Sequence, residues 1–342
     1  MSEIKLNNGK IIGDFLKPYI IAELNTSHFG KLDIAKEMIS AAKEAGCDCV
    51  KFQSWSAESL YSDEYYQENK IAKRFVTKFS LSPDELFLLS EYSRNIEIDF
   101  SSTPYCMEEA QFLVEECRAP FIKIASMELN NLPYLEELTS LNSTLILSTG
   151  MGDTNEIVNA VKLIKETGTP LAVLHCTSIY PATAELLHLQ NIVGLRQILP
   201  GTPIGFSDHS VGIEAPIAGA ALGMCILERH LTLDKSQIGM DNQMASEPDQ
   251  IASIVESCNF INQANGLQER VVTDLDLEQR ANMRRSMIAK VNILSGDTLN
   301  DQNTEFKRPG TGISPVSASD YYGKIVTRSI DAGSLINESD LD

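Results

Sequence analysis

IGFSDHSVG, residues 204–212, is an apolar strand-like run that carries straight into Ser207, Asp208 and His209. ILERHLTLD, residues 226–234, repeats the arrangement, with Glu228 and Arg229 leading into His230. The chain holds only five histidines, and two of them stand where an apolar run stops, close to a carboxylate. A short, near-continuous apolar run is the signature of a parallel strand covered on both faces.

Six earlier stretches have the same form: Tyr19–Leu24, Cys47–Trp55, Ile96–Pro104, Pro120–Ser126, Ser143–Thr149 and Leu171–Thr177. With Pro203–His209 and Cys225–Leu231 they make eight strand candidates. Segments of helical period lie between them. Leu32–Ala45 carries Ile34, Met38 and Ala41–Ala42 on one side and stops at Gly46. Met107–Cys117, Asn155–Gly168 and Gly212–Gly223 read the same way. Glu247–Gly266 predicts a closing helix, with Ser246 as N-cap and Pro248 near its first turn.

Eight βα units in about 265 residues is the count and size of a TIM (β/α)8 barrel. A doubly wound open sheet is the competing architecture. No Gly-rich dinucleotide turn follows any strand, which favours the barrel. The opening IKLNNGKIIGDF (4–15) predicts a hairpin turning at Asn8-Gly9 and plugging the barrel floor.

The pattern changes after about Arg280. Met287–Ile293, Phe306–Lys307 and Lys324–Ile330 are short and β-like among many turn residues. ILSGDTLNDQ, from residue 293, is weakly echoed by IDAGSLINES, from residue 330. The expected organisation is a barrel domain with its hairpin over 1–272, a linker over 273–283 containing the acidic TDLDLEQR, and a small β-rich domain over 284–342. About sixty residues is marginal for an independent core, so this tail is expected to dock on a neighbour.

Of the 342 residues 43% are hydrophobic and 22% charged, an ordinary globular balance. The net charge of −19 argues against coating nucleic acid or an anionic membrane. An anionic substrate would need cations concentrated locally against that field. The seven cysteines are scattered without a CxxC pair, as expected of reduced, packed thiols. With no apolar signal core in MSEIKLNNGK and no span-length segment, a cytoplasmic location is expected.

In a TIM barrel the chemistry stands at the carboxyl ends of the strands. The run ends here supply Glu23; Lys51 and Gln53; Ser101, Ser102 and Thr103; Lys123, Ser126 and Glu128; Ser148 and Thr149; His175, Thr177, Ser178 and Tyr180; Ser207, Asp208 and His209; and Glu228 and His230. A single polar strand end is more often a cap or a core hydrogen bond. A full ring exceeds what packing requires.

Lys51 in CDCVKFQSW and Lys123 in FIKIAS are costly inside apolar strands unless paired or used. One use is a Schiff base, which needs a lysine of depressed pKa. The other is gripping a phosphate or carboxylate, for which Ser126, Ser148 and Ser207 offer hydroxyls. Two lysines on separate strands favour the anion site. His209 and His230, on adjacent strands, can converge on one ion; either could instead be a hydrogen-bonded core residue. Imidazole suits Mn, Zn, Fe or Co better than Ca. Two protein ligands would leave positions open for water and substrate.

The motifs AELNTSHFG (22–30), VKFQS (50–54), FSSTP (100–104), IKIASME (122–128), LSTGM (147–151), LHCTSIYP (174–181), IGFSDHS (204–210), LERHLTLD (227–234) and KRPGTGI (307–313) occur in this order. Together they resemble the sialic acid (N-acetylneuraminate) synthases and the bacterial relatives that make legionaminic and pseudaminic acids. The resemblance covers nearly the whole chain. It implies a TIM barrel followed by a small antifreeze-like (SAF) domain, paired as a domain-swapped homodimer in which each tail closes the partner's barrel.

The implied reaction condenses phosphoenolpyruvate with the open-chain aldehyde of an N-acylated hexosamine. The resemblance implies that His209 and His230 hold a divalent ion, Mn²⁺ or Mg²⁺. Lys51, Lys123, Ser126, Ser148 and Ser207 would bind phosphoenolpyruvate. Gln53, Thr103, Ser178, Tyr180 and Asp241 would face the sugar or the ion's water. Glu23 and Glu128 are the candidates for handling water and protons, and Arg308 of the partner's tail would reach the N-acyl group. A bound metal polarises the aldehyde, C3 of phosphoenolpyruvate attacks it, water captures the cation at C2, and phosphate leaves with C–O cleavage.

The chain departs from that family's pattern at Asn25 and Ser27, where relatives often carry Gly and Asn; at Asn242, where many have His; and at Ser178, which is Asn in some. These positions lie on the sugar side. Two other readings compete: a Schiff-base aldolase on the same fold, and a non-enzymatic carbohydrate- or ice-binding protein defined by its tail.

Overall fold

Period-two alternation inside eight short strands decides which side chains meet. The structure, a computed structural model, describes residues 2–267 and 269–342. It divides into two compact units, Met1–Gly266 and Leu267–Asp342.

The first unit opens with β1 (Glu3–Lys5) antiparallel to β2 (Ile11–Gly13). The hairpin turns where expected: Leu6 N–H donates to the Lys10 carbonyl at 2.8 Å, and Gly9 takes φ +89°, the left-handed region that glycine adopts without a Cβ penalty. The eight expected strands follow as β3 (Tyr19–Glu23), β4 (Cys49–Gln53), β5 (Asp99–Thr103), β6 (Ile122–Ile124), β7 (Leu145–Ser148), β8 (Leu171–Cys176), β9 (Ile204–Asp208) and β10 (Ile226–His230). They form one sheet in the order β5-β4-β3-β10-β9-β8-β7-β6, with every pair parallel. Across the seam between the end strands, Ser101 Oγ donates to the Phe121 carbonyl at 2.8 Å. The sheet is thus nearly closed as a TIM barrel.

A helix follows each strand: Leu32–Glu44, Pro83–Asn95, Met107–Glu115, Leu132–Thr139, Thr154–Glu166, Gln190–Ile198, Glu214–Ala221 and Pro248–Asn265. Between β4 and its helix lie three further short helices, Ala57–Leu60, Asp63–Glu68 and Lys70–Phe79, which are not among the elements expected from the sequence. The helix expected to begin at a Ser246 cap is capped instead by Glu247, without a side-chain bond. Ser246 Oγ is taken by the Arg229 guanidinium at 2.9 Å. A buried guanidinium needs acceptors more than a helix start needs this one.

Two clusters separate the faces of the strands. Ile20, Ala22, Val50, Phe52, Val173, Phe206 and Leu227 point outward and pack on helix residues such as Met38, Leu135 and Ile254. Tyr19, Ile21, Cys49, Phe121, Ile146, Leu174 and Ile226 point inward, where Leu6 and Ile12 of the hairpin join them and close the floor. Side chains alternate along a strand. The next inward positions toward the carboxyl ends are therefore Glu23, Lys51, Lys123, Ser148, Cys176, Glu228 and His230.

In the second unit the stretch read as a linker contains a helix, Asp274–Met283. Its first turn is closed by a capping box between Thr273 and Asp276. Gly310 N–H donates to the Ala281 carbonyl at 2.7 Å. β11 (Ser286–Ala289) and β12 (Thr304–Lys307) pair antiparallel. Lys324–Ile330, expected as a strand, makes only isolated bridges. The two echoed segments meet: Ile293 and Ile330 exchange backbone bonds of 2.9 and 2.8 Å. The core holds Met287, Ile293, Leu299, Ile313, Val326 and Ile336.

All seven cysteines are unpaired and six are buried. Among the described residues no helix is long and apolar enough to cross a membrane.

Candidate active site

The carboxyl ends of the barrel strands enclose a cleft lined by Glu23, Asn25, Lys51, Gln53, Thr103, Tyr105, Lys123, Ser126, Ser148, Cys176, Tyr180, His209, Glu228, His230 and Asp241. It is not the largest cavity of the unit. A roomier one, about 650 Å³, lies beside it between the loop after β7 and helix Gln190–Ile198, and the two share Cys176.

The lower part of the cleft is a buried charge network. Lys51 is in register with Glu23 on the neighbouring strand and forms an ion pair with it. Its Nζ donates to Thr103 Oγ1 at 3.0 Å. Lys123 Nζ donates to Ser148 Oγ at 2.7 Å and to the Ile124 carbonyl at 3.2 Å. Both ammonium groups stand 3.7 Å from Glu228, one at each carboxylate oxygen. Ser207, in register with Glu228, donates to its Oε1 at 2.9 Å.

Four ionisable groups buried this closely perturb one another. Burial pushes Glu23 up to about 7, with Lys51 opposing and Glu228 reinforcing the rise. Burial would also raise Glu228, but Lys123 and Lys51 overcome it and hold that carboxylate below its ordinary value. Burial would lower Lys51, yet Glu228 and Glu23 keep it above the usual lysine range. Lys123 falls below that range through burial, which Glu228 offsets in part while the Lys51 charge adds to the drop.

The upper part carries the histidines. Their rings stand 5.3 Å apart, centroid to centroid, nearly edge to face, and the Tyr180 ring lies 4.2 Å from His209. His209 Nδ1 is 2.9 Å from the Thr177 carbonyl, an acceptor that puts a proton on Nδ1, so in the neutral ring Nε2 carries the lone pair. Burial and the charges of His209, Lys51 and Arg229 hold His230 well below the ordinary histidine value, so it is neutral. Burial would lower His209, yet Cys176, the Thr177 backbone and Glu228 hold it above the ordinary histidine value; once that ring sheds its proton, the two imidazoles facing one cleft fit a borderline divalent cation. Among the described residues no group of three or more His, Cys, Asp or Glu side chains forms a fuller metal cage. An ion here would have two protein ligands and open positions.

Asp241 comes from the loop after β10. Its Oδ2 accepts from Asn25 Nδ2 and lies 3.9 Å from His230 Nδ1. Gly150 joins two loops: its N–H donates to Ser126 Oγ at 3.0 Å, and a Cβ there would collide with Ser178 Oγ.

Not every residue expected at the site faces it. Glu128 lies outside the cleft lining, its carboxylate held by Asn131 Nδ2 at 2.7 Å. Ser178 lines the neighbouring cavity. Ser207 is turned to Glu228 rather than to open space. Arg308 follows β12 in the second unit and is exposed. Of the other polar strand ends, His175 points outward, bonds the Leu187 carbonyl through Nε2 at 2.7 Å and stacks on Phe206. Thr149 Oγ1 donates to the Leu174 carbonyl at 2.9 Å.

Tyr105 and Cys176 line the cleft without having been singled out. Tyr105 lies beyond the end of its run, though Cys176 could have been found two residues after the inward Leu174. The sequence puts Glu228 in the ring of strand ends without assigning it a role, and it is the group that joins the two lysines.

A family model described as the NeuB family matches residues 38–270, and one described as the SAF domain matches residues 284–342. The chain belongs to the NeuB family. It is 33% identical to the N,N'-diacetyllegionaminic acid synthase of Legionella pneumophila, over 98% of each chain. It is 30% identical to the N-acetylneuraminate-9-phosphate synthase of Mus musculus, over 99% of this chain and 97% of that one. A solved N-acetylneuraminic acid (sialic acid) synthetase from Leptospira borgpetersenii, crystallised with citrate, superposes with a TM-score of 0.76 at 34% identity, covering 82% of this chain and 95% of that one. These are sialic-type acid synthases, an enzyme class, and this NeuB-family chain ends in a SAF domain as the motifs implied.

Proposed function

We propose that this NeuB-family chain condenses phosphoenolpyruvate with an open-chain N-acylated hexosamine, N-acetylmannosamine or a bacterial diacetamido analogue, to form a nonulosonic acid. A bond forms between C3 of phosphoenolpyruvate and the sugar aldehyde carbon. Water oxygen adds at C2, and the C2–O bond to the phosphoryl group breaks, releasing phosphate. The observation that carries the reading is the pair Lys51–Lys123, joined on Glu228 directly below His209 and His230. The names of the Legionella and mouse relatives, both nonulosonic acid synthases, support it.

Lys51 and Lys123, with Ser148 and Ser126, bind the phosphoryl and carboxylate groups of phosphoenolpyruvate. Glu228 keeps both lysines charged until that anion arrives. Glu23, raised to about 7, is placed to take a proton from the attacking water near neutral pH. Gln53, Thr103, Tyr180 and Asp241 make the sugar side. His209 and His230 would hold Mn²⁺ or Mg²⁺, which when bound polarises the aldehyde oxygen as a Lewis acid. The dimer is part of the proposal, with Arg308 from the partner's tail reaching the N-acyl group. Active heterodimers formed from Arg308→Ala and His209→Ala subunits would support that exchange, and inactive ones would exclude it.

The deciding experiment is phosphate release from phosphoenolpyruvate with a divalent metal and a panel of mannosamine-type and bacillosamine-derived sugars, with the nine-carbon product identified by mass. Silence across the panel would sink the reading. A Schiff-base aldolase draws on one observation, the lowered pKa of Lys123. Borohydride trapping at Lys123, with activity indifferent to EDTA, would favour it instead.

A further inference from the structure

The loop that follows β10 is pinched at its base. Thr232 N–H donates to the Ser246 carbonyl at 3.0 Å, and Ser246 N–H to the His230 carbonyl at 2.8 Å. Between these points the chain from 233 to 245 has no regular strand or helix. Two side-chain bonds fasten it to the loop after β3. Asn25 Nδ2 donates to Asp241 Oδ2, and Ser27 Oγ donates to Asn242 Oδ1 at 2.8 Å. All three anchoring neighbours of Asp241 are buried: Asn25 is 6% exposed, Ser27 4% and Asn242 0%. These are also positions where the sequence departs from the pattern it otherwise resembles; the structure bonds two of them, Ser27 and Asn242, to each other and the third, Asn25, to Asp241.

Asn25 has a second feature. A carboxylate only accepts hydrogen bonds, so Asp241 fixes which way the amide is turned. The Nδ2 end faces Asp241, and Oδ1 faces elsewhere. That oxygen is buried without a hydrogen-bond partner, in a residue that lines the cleft beside Gln53 and Asp241. A buried, unpaired acceptor is costly and calls for a donor. The groups an N-acylated sugar offers are hydroxyl O–H and amide N–H, both donors.

We propose that Asn25 is a specificity residue for the acceptor sugar. Its Oδ1 accepts from a sugar hydroxyl or amide N–H, while its Nδ2, together with the Ser27–Asn242 bond, latches the 233–245 loop so that Asp241 stays beside His230. The inference rests on the nonulosonate synthase reading for the identity of the sugar. The latch itself does not depend on it.

Two measurements separate these levels. In steady-state kinetics, Asn25→Ala should raise the KM for the N-acylhexosamine about tenfold, the worth of one hydrogen bond and its unpaired remainder. The KM for phosphoenolpyruvate should not move, because the lysine site lies lower in the cleft. Unchanged sugar KM in Asn25→Ala would overturn the specificity role. In hydrogen exchange, amides of 233–245 should exchange faster in both Asn25→Ala and Ser27→Ala than in the unaltered chain, and equal exchange in all three would overturn the latch. If the unaltered chain releases no phosphate with any sugar, the synthase reading fails by itself. Exchange with and without N-acetylmannosamine or a diacetamido hexose then still decides: protection of 233–245 in the unaltered chain and not in Asn25→Ala supports the proposal, and no protection in either rejects it.

Discussion

Asp208 and Arg229 form a buried ion pair on the outer face of the barrel wall, behind the histidines rather than beside them. They are in register on β9 and β10, are 0% and 1% exposed, and are bonded through Arg229 Nη1. The rest of each group is satisfied as well. Asp208 Oδ1 accepts from Ser210 N–H at 2.9 Å, Arg229 Nε donates to Ser246 Oγ at 2.9 Å, and Nη2 donates to the Gly212 carbonyl at 3.1 Å. The carboxylate next to His209 in the chain therefore neither faces an ion nor orients that ring. It ties the strand ends to the loops that follow them.

Breaking this pair should cost stability rather than chemistry. Asp208→Ala leaves a buried guanidinium unpaired, a loss of about 3–5 kcal/mol. The measurement is urea denaturation. Combining it with Arg229→Met should recover much of the loss, because both desolvated charges are then gone. A double variant as unstable as the single one would contradict the pairing.

Glu228→Gln removes the carboxylate that keeps two buried lysines charged. Lys123 already sits below the ordinary lysine range and Glu228 is what holds it up, so its pKa should fall further. Binding of phosphoenolpyruvate, followed by calorimetry against pH, should then weaken at a lower pH than in the unaltered chain. A pH profile that did not move would show that Glu228 does not set the charge of this site.

Glu23 should shape the pH dependence. Burial raises it from 4.5 to about 7, so the ionised fraction grows as pH rises through about 7. If Glu23 accepts the proton from water, kcat climbs over that interval, and Glu23→Gln abolishes the ascending limb. The stability contribution has the opposite sense. A raised folded-state pKa favours folding fully below the unfolded value of 4.5, and that contribution is lost as pH rises through about 7. Thermal unfolding of Glu23→Gln against pH should lack this decline.

His209→Ala and His230→Ala test the proposed metal pair directly. With only two imidazoles available, losing either should abolish Mn²⁺ binding by calorimetry and drop phosphate release to background. EDTA should do the same to the unaltered chain, with recovery on adding Mn²⁺ or Mg²⁺. Binding that survives in both variants would place the ion elsewhere.

The barrel is legible in the chain alone, because eight apolar runs ending in polar residues are a local and repeated signal. Alternation with a period of two also tells which side chains share a face: Glu23 with Ile21, Lys51 with Cys49, Glu228 and His230 with Ile226, and Asp208 and Arg229 opposite their neighbours Ser207 and Glu228; which face is inward was decided by the closed barrel. What the sequence could not supply was register and loop contact. Only the pairing of neighbouring strands puts Lys51 against Glu23 and brings both lysines to Glu228. Asn25 and Asp241 are 216 residues apart in the chain, and no local pattern joins them. The same limit left the Tyr105 wall, the inserted helices of 57–79 and the true cap of the last barrel helix unread. Each depends on which acceptor, ring or backbone the closed barrel brings within reach, and that is a property of tertiary packing alone.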